Sequence, residues 1–184
     1  IASGKSKRII CGVGKSFRVA AKISSTMASI GSPSFVLSAN DCSHGDLGSI
    51  SKKDVLVMMS HSGQSEELTN VIDYAKKNKV KLIAITSKKN TKLFKSANVG
   101  ICIPDVKEAG LGLVPTSSTS CQLALGDALA IATMKYKNFN KSNYKDLHPA
   151  GKIGSKLKTV NDIMLTGKKI PFIKEQIKMS KAIK

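Results

Sequence analysis

Residues 55–65 read Val55-Leu56-Val57-Met58-Met59-Ser60-His61-Ser62-Gly63-Gln64-Ser65. Five apolar residues in an unbroken run mark a strand covered on both faces, because a half-exposed strand would alternate apolar with polar. The run stops at a serine- and glycine-rich turn, after which Leu68, Val71, Ile72 and Ala75 recur at helical spacing. Strand, polar turn and helix in that order are the first part of a βαβ unit, which needs a second parallel strand beside the first. Leu82-Ile83-Ala84-Ile85 supplies it.

The same unit repeats in both directions. Arg8-Ile9-Ile10-Cys11 is a short apolar run closed by Gly12-Val13-Gly14. Val19, Ala20, Ile23, Met27 and Ile30 then carry a helix over 16–30, ended by Gly31-Ser32-Pro33. Ser34-Phe35-Val36-Leu37 is a second strand, and 38–51 is a polar loop with room for a short helical turn. Beyond 82–85 we expect a short helix over 93–97 and a fifth strand over 99–103. A Gly/Pro/Ser/Thr-rich loop over 109–120 and a long helix over 121–136 follow. The expected fold is one α/β domain of five parallel strands, doubly wound with helices on both faces. Ligands of such sheets bind beyond the carboxyl ends of the strands, so the loops after strands one, three and five should carry the chemistry. We expect this domain to occupy residues 1–160, and the short basic segment 161–184 to build no core of its own.

The 184 residues are 41% hydrophobic and 23% charged, which suits one globular core and is too short for two full-sized domains. No apolar run nears the roughly 20 residues that cross a bilayer, and no signal-like leader opens the sequence; neither a membrane protein nor a secreted miniprotein is expected. Ile1 in place of a methionine leads us to expect further chain before it. A net charge of +18 raises the question of nucleic acid. Yet only Arg8 and Arg18 among the 30 basic residues are arginine, the lysines are scattered, and 4% aromatics leave little to stack on a base. Neither nucleic acid nor a membrane is an expected partner; the field of a lysine-rich surface would instead draw in a small anionic substrate. Cys11, Cys42, Cys102 and Cys121 show no CxxC or CxH spacing. Cys11 and Cys102 lie in strand-like runs, where a free cysteine is a small core residue, and a reducing, cytoplasmic location is expected.

Three loops stand out. Gly12-Val13-Gly14-Lys15-Ser16 opens a helix with glycines that let backbone N–H groups approach an anion, though Ile9 and Phe17 exclude a Walker A loop and a full GxGxxG. In Ser60-His61-Ser62-Gly63-Gln64-Ser65 three hydroxyls meet at a strand-to-helix junction, either to converge on a phosphate or to cap the helix through Ser62 or Ser65. Thr116-Ser117-Ser118-Thr119-Ser120 is a second hydroxyl cluster before the long helix. Two such clusters at corresponding ends of a parallel sheet favour phosphate binding.

With Glu66 and Glu67 added to the second loop and Pro115 to the third, these segments resemble the loops of sugar isomerase (SIS) domains. Within that family, Ser43-His44-Gly45-Asp46-Leu47-Gly48, Gly126-Asp127-Ala128-Leu129-Ala130 and Leu147-His148-Pro149-Ala150-Gly151-Lys152-Ile153-Gly154 resemble the arabinose-5-phosphate isomerases. The resemblance spans about residues 8–164 and implies a flavodoxin-like doubly wound fold. It implies interconversion of D-ribulose 5-phosphate and D-arabinose 5-phosphate, serving synthesis of the lipopolysaccharide sugar Kdo. It further implies no organic cofactor and a homotetramer whose sites combine residues of neighbouring subunits. Asn161-Asp162-Ile163-Met164 resembles the entry to a CBS module, so 161–184 is expected to be a linker and the truncated start of one.

Such an isomerase moves a proton between C1 and C2 through an enediol and needs a base, an acid and a cation for oxyanion charge. By resemblance the functional lysine falls on Lys15, the two functional glutamates on Glu67 and Glu108, and the functional histidine on His148. Gly14, Ser16, His44, Ser60, Ser62, Gln64, Ser65, Thr116, Ser117, Ser118 and Thr119 are the expected substrate-binding residues. Glu67 or His148 is the expected proton-transfer group, with acid and base unassigned between them. The residues alone also allow plainer roles: Glu66 and Glu67 as dipole-favoured acids in a first helical turn, Glu108 as a surface partner of Lys107, and the histidines as packing groups. His44, His61 and His148 have no metal-ligand spacing, and no metal is expected. Departures from the family pattern are Phe17, His61, Gln64, Ala150 and the shortened Glu108-Ala109-Gly110-Leu111-Gly112. A non-catalytic sugar-phosphate sensor is the competing reading.

Overall fold

Alternate residues of each central strand enter different cores, which is why the strands read as unbroken apolar runs. Ile9, Cys11, Leu56, Met58, Leu82 and Ala84 point to one side of the sheet, where Leu68, Val71, Ile72, Ala75 and Leu93 cover them. Ile10, Val57, Met59, Ile83 and Ile85 point to the other, against Ala20, Ile23, Met27 and Ala130. Burial of this kind contributes roughly 25 cal/mol per Å² of apolar surface and dominates the favourable side of folding.

The computed structural model describes residues 6–149 and 151–183. Two compact units divide between Leu147 and His148. In the first, β1 (Arg8–Gly12), β2 (Ser34–Ser38), β3 (Val55–Met59), β4 (Lys81–Thr86) and β5 (Val99–Cys102) form one parallel sheet in the order β2-β1-β3-β4-β5. The helices are α1 (Gly14–Ser29), α2 (Ala39–Cys42), α3 (Leu68–Lys77), α4 (Lys92–Ser96), α5 (Ser117–Tyr136) and α6 (Lys141–Leu147). The expected doubly wound α/β fold is thus present, and the strand order reverses at β1 and β3. No helix among the described residues is long and apolar enough to cross a membrane.

The second unit, from His148, contains α7 (Gly151–Lys156), α8 (Val160–Ile163) and α9 (Met179–Ala182). Its apolar side chains from Val160 to Ile183 stay largely exposed. Within it, a Cβ on Gly154 would stand 2.2 Å from the His148 carbonyl oxygen, so a glycine is required there. The first unit ends earlier than the domain boundary at 160 that the sequence suggests.

One expectation fails in the sheet. Cys102 is exposed, as are Val99 and Gly100, because among the described residues β5 forms the outer edge and has β4 as its single neighbour. Cys11, in the central β1, is buried as expected.

α1 and α5 cover one face of the sheet. A Cβ on Gly126 would lie 2.2 Å from Ile23 Cδ1, Lys22 bonds Asp127, and the Lys137 ammonium bonds the Gly31 carbonyl. Contacts that advance together along both chains mean that the helices run in the same direction. From the Ile23–Gly126 contact, each has the same number of residues back to its first turn, so both amino ends reach the same edge of the sheet. Gly126→Val would drive a branched side chain into buried Ile23 and is expected to cost about 2 kcal/mol, the usual range for overpacking, measured by urea denaturation.

Candidate functional site

The edge formed by the carboxyl ends of β1 and β3 is where the strand order reverses and where open α/β sheets bind ligands. Gly12 and Met59, the last residues of these strands, are register partners, so the loops after them leave the sheet side by side. The end of β2 lies next to them through the Gly12–Ser38 pairing, and Asn70 of α3 donates to Ser43 Oγ at 3.1 Å. Lys15, Glu67, His44, Ser16 and the Ser60–Ser65 turn are therefore brought to one edge. Lys15, His44, Ser62, Gln64 and Glu67 are exposed, and Ser16 and Ser65 are half-buried.

The turn after β3 is tightly built. Ser60 is buried, its amide donates to the Ile85 carbonyl, and its hydroxyl accepts the Gly63 amide at 3.0 Å and lies 3.4 Å from Ser65 Oγ. Ser62 Oγ accepts the Gln64 amide at 3.3 Å. Gly63 has φ +66°, and a Cβ there would lie 2.6 Å from Thr91 Oγ1 and 2.8 Å from Thr86 Oγ1. Both the conformation and the space demand glycine. The serines do not cap α3: that position belongs to Glu67, whose side chain makes no cap bond. Glu66 and Glu67 consequently precede the helix rather than occupy its first turn. Among the described residues, the amides of Ser62, Ser65, Glu66 and Glu67 donate to no protein acceptor. They form a cluster of free donors at the positive end of a helix.

α5 begins at Ser117, earlier than expected, and brings Thr116 and Ser118 to the same edge of the sheet as α1. Here the Thr116 and Ser118 amides are already taken. Glu108 Oε2 accepts the Thr116 amide at 2.8 Å, the Ser118 amide at 3.2 Å and the Thr116 hydroxyl at 3.2 Å. Glu108 is half-buried in this seat rather than paired with Lys107 on the surface. The Ser118 hydroxyl, followed by the Thr116 and Ser118 amides, lowers its carboxyl from 4.5 to about 2. Ser117 and Thr119 are half-buried beside it, and Thr119 Oγ1 donates to the Thr116 carbonyl.

The family model of the SIS domain matches residues 1–132. The chain belongs to the SIS domain family. It is 41% identical to the arabinose 5-phosphate isomerase KdsD of Escherichia coli K12 and 42% identical to the KdsD of Francisella tularensis. Each match covers 97% of this chain and 55% of the relative, so the chain spans about half the length of those curated proteins. Among solved structures, the c3406 protein of E. coli CFT073 in complex with arabinose 5-phosphate superposes with a TM-score of 0.76 at 36% identity, over 79% of this chain and 78% of that one.

Several residues that shape this SIS domain's site escape a sequence reading. Thr86 Oγ1 and Ser87 Oγ both donate to the His61 carbonyl, pinning the β3 turn to the end of β4. His61 Nε2 lies 3.7 Å from Asp105 Oδ1, and Asp105 also pairs with Lys88, whose ammonium lowers the Asp105 carboxyl below its ordinary value. His61 is thus turned toward the far strands. Thr91 carries a readable signal as the hydroxyl that caps α4 by accepting the Phe94 amide. Among the described residues no group of three or more His, Cys, Asp and Glu side chains is arranged to hold a metal. His148 is half-buried at the start of the second unit, and the neighbouring Ala150 lies outside the described residues.

Proposed function

We propose that the chain carries the isomerase domain of an arabinose-5-phosphate isomerase, interconverting D-ribulose 5-phosphate and D-arabinose 5-phosphate. The observation that supports this most strongly is the cluster of free amides and hydroxyls in the Ser60–Glu67 turn. It stands where strand order reverses, in a chain 41% identical to KdsD along nearly its whole length. A phosphate dianion bonded to the amides of Ser62, Ser65 and Glu66 and the hydroxyls of Ser62 and Ser65 would gain charge-assisted hydrogen bonds and the helix dipole together. The neighbouring Lys15 adds a positive charge.

With the phosphate held there, the reaction is a proton transfer. A base removes a proton from C1 of the ketose, and its electrons form the C1–C2 double bond of an enediol. The C2 oxygen gains a proton, the C1 oxygen gives one up, and the carbon-bound proton returns to C2. Glu67, exposed and unengaged, suits the carbon proton and Lys15 the developing oxyanion; by the family resemblance a His148, contributed by a neighbouring subunit of the proposed tetramer, serves the oxygens. No electron acceptor enters the balance, and none of these steps calls for a cofactor.

The proposal extends to a cytoplasmic homotetramer with shared sites, to supply of the Kdo branch of lipopolysaccharide synthesis, and to residues 161–184 as the entry of a CBS module.

Incubation of the full-length protein with D-ribulose 5-phosphate, followed by NMR, tests the activity. Appearance of D-arabinose 5-phosphate, with Ser62→Ala raising KM about tenfold and changing kcat much less, is the expected result. A thermal shift with sugar phosphate but no turnover would instead make the chain a sugar-phosphate sensor.

A further inference from the structure

The helices whose amino ends face the site differ in one respect. The amides of Ser62, Ser65, Glu66 and Glu67, just ahead of α3, donate to nothing among the described residues, whereas those of Thr116 and Ser118 at the start of α5 hold Glu108. We propose that Glu108 is a positioning residue: its carboxylate stays seated on α5 throughout turnover, closes the 109–115 loop, and leaves the substrate phosphate to the Ser60–Glu67 turn. This rests on the sugar-phosphate reading for the identity of the ligand.

The seat is a closed ring. One carboxylate oxygen takes the Thr116 and Ser118 amides and the Thr116 hydroxyl, and that hydroxyl in turn accepts the Ala109 amide at 2.9 Å. Glu108 and Thr116, the two ends of the loop, are thereby fastened to each other. Between them Gly110 and Gly112 take φ values of +65° and +74° and reverse the chain, with the Gly112 amide donating to the Ala109 carbonyl. Leu111, Leu113 and Val114 are exposed on this loop, so no apolar packing holds it shut. The carboxylate and the turn bonds do.

Two consequences separate this arrangement from a proton-transfer role. A phosphate reaching for the Thr116 and Ser118 amides would have to evict an anion that these two residues already hold, then stand beside it as a like charge. A carboxylate held at about 2 also has little proton affinity near neutral pH, while an efficient base is matched to the working pH. The seat contributes fully to stability above the ordinary carboxyl value of 4.5 and loses that contribution as pH falls through about 2.

Amide hydrogen exchange by NMR, on the full-length protein, tests the assignment. In the wild type, inorganic phosphate and D-ribulose 5-phosphate are expected to slow exchange at Ser62, Ser65, Glu66 and Glu67 at least tenfold. Thr116 and Ser118, already protected, should change less than twofold. Glu108→Gln should speed exchange at Thr116 and Ser118 more than tenfold, and Glu108→Asp should restore part of the protection. In turnover, Glu108→Gln should keep both limbs of the pH–rate profile while Glu67→Gln loses one. New protection at Thr116 and Ser118 on adding phosphate, or loss of a pH limb in Glu108→Gln, would overturn the proposal. If phosphate protects neither loop, the sugar-phosphate reading fails by itself; fast exchange at Thr116 and Ser118 in Glu108→Gln then still supports the seat.

Discussion

Glu67→Gln is expected to reduce kcat for D-ribulose 5-phosphate by about 10²–10⁴, the span attributed to a positioned general acid or base, with KM changed less than threefold. The substitution keeps size and shape and removes only the proton-accepting carboxylate. Glu67 is exposed and makes no cap bond to α3, so little stability is at risk. A melting temperature within about 1 °C of wild type would show that the lost turnover is chemical. The mutant should still be stabilised by sugar phosphate, because the donors at Ser62 and Ser65 are untouched. If Glu67→Gln retained more than a tenth of wild-type kcat, the carbon proton would have to be moved by His148, and His148→Ala would then show the larger loss.

Gly63→Ala is expected to damage both binding and stability. Left-handed backbone costs a non-glycine residue roughly 1 kcal/mol, and relieving the contacts with Thr91 and Thr86 adds an overpacking cost of about 1–3 kcal/mol. Neither threonine can yield freely. Thr91 Oγ1 accepts the Phe94 amide and donates to the Lys88 carbonyl, and Thr86 Oγ1 donates to the His61 carbonyl. Moving one hydroxyl therefore uncaps α4; moving the other releases the β3 turn. A melting temperature lower by about 5–10 °C and an affinity for sugar phosphate at least tenfold weaker are expected from calorimetry. Unchanged affinity would mean that the phosphate is not held by this turn.

Much of this architecture is legible in the residues. Val55–Met59 announces a doubly covered strand because every position is apolar, and the loops after β1 and β3 announce themselves by glycine and serine at the ends of such runs. Edge position is different. Nothing in Val99-Gly100-Ile101-Cys102 distinguishes it from a central strand, since exposure there is decided by which strand pairs with which. The start of α5 is hidden for another reason. Thr116-Ser117-Ser118-Thr119-Ser120 has the composition of a loop, and the group that permits helix from Ser117 onward is Glu108, on the far side of a glycine-containing turn. A cap supplied across a loop leaves no local pattern. The same holds for Thr86 and Ser87, whose bonds to the His61 carbonyl exist only because β3 and β4 are neighbours.

The shared direction of α1 and α5 makes Gly126 a gauge block for the site. With Ile23 against it, the glycine sets how closely two rigid rods lie, and both rods end at the same edge of the sheet after equal lengths. A side chain at this remote point would act as a shim, tilting the tip of α5 outward and carrying Thr116, Ser118 and the fastened Glu108 with it. Distance from the substrate gives such a position no immunity, because the lever arm amplifies what happens at the pivot.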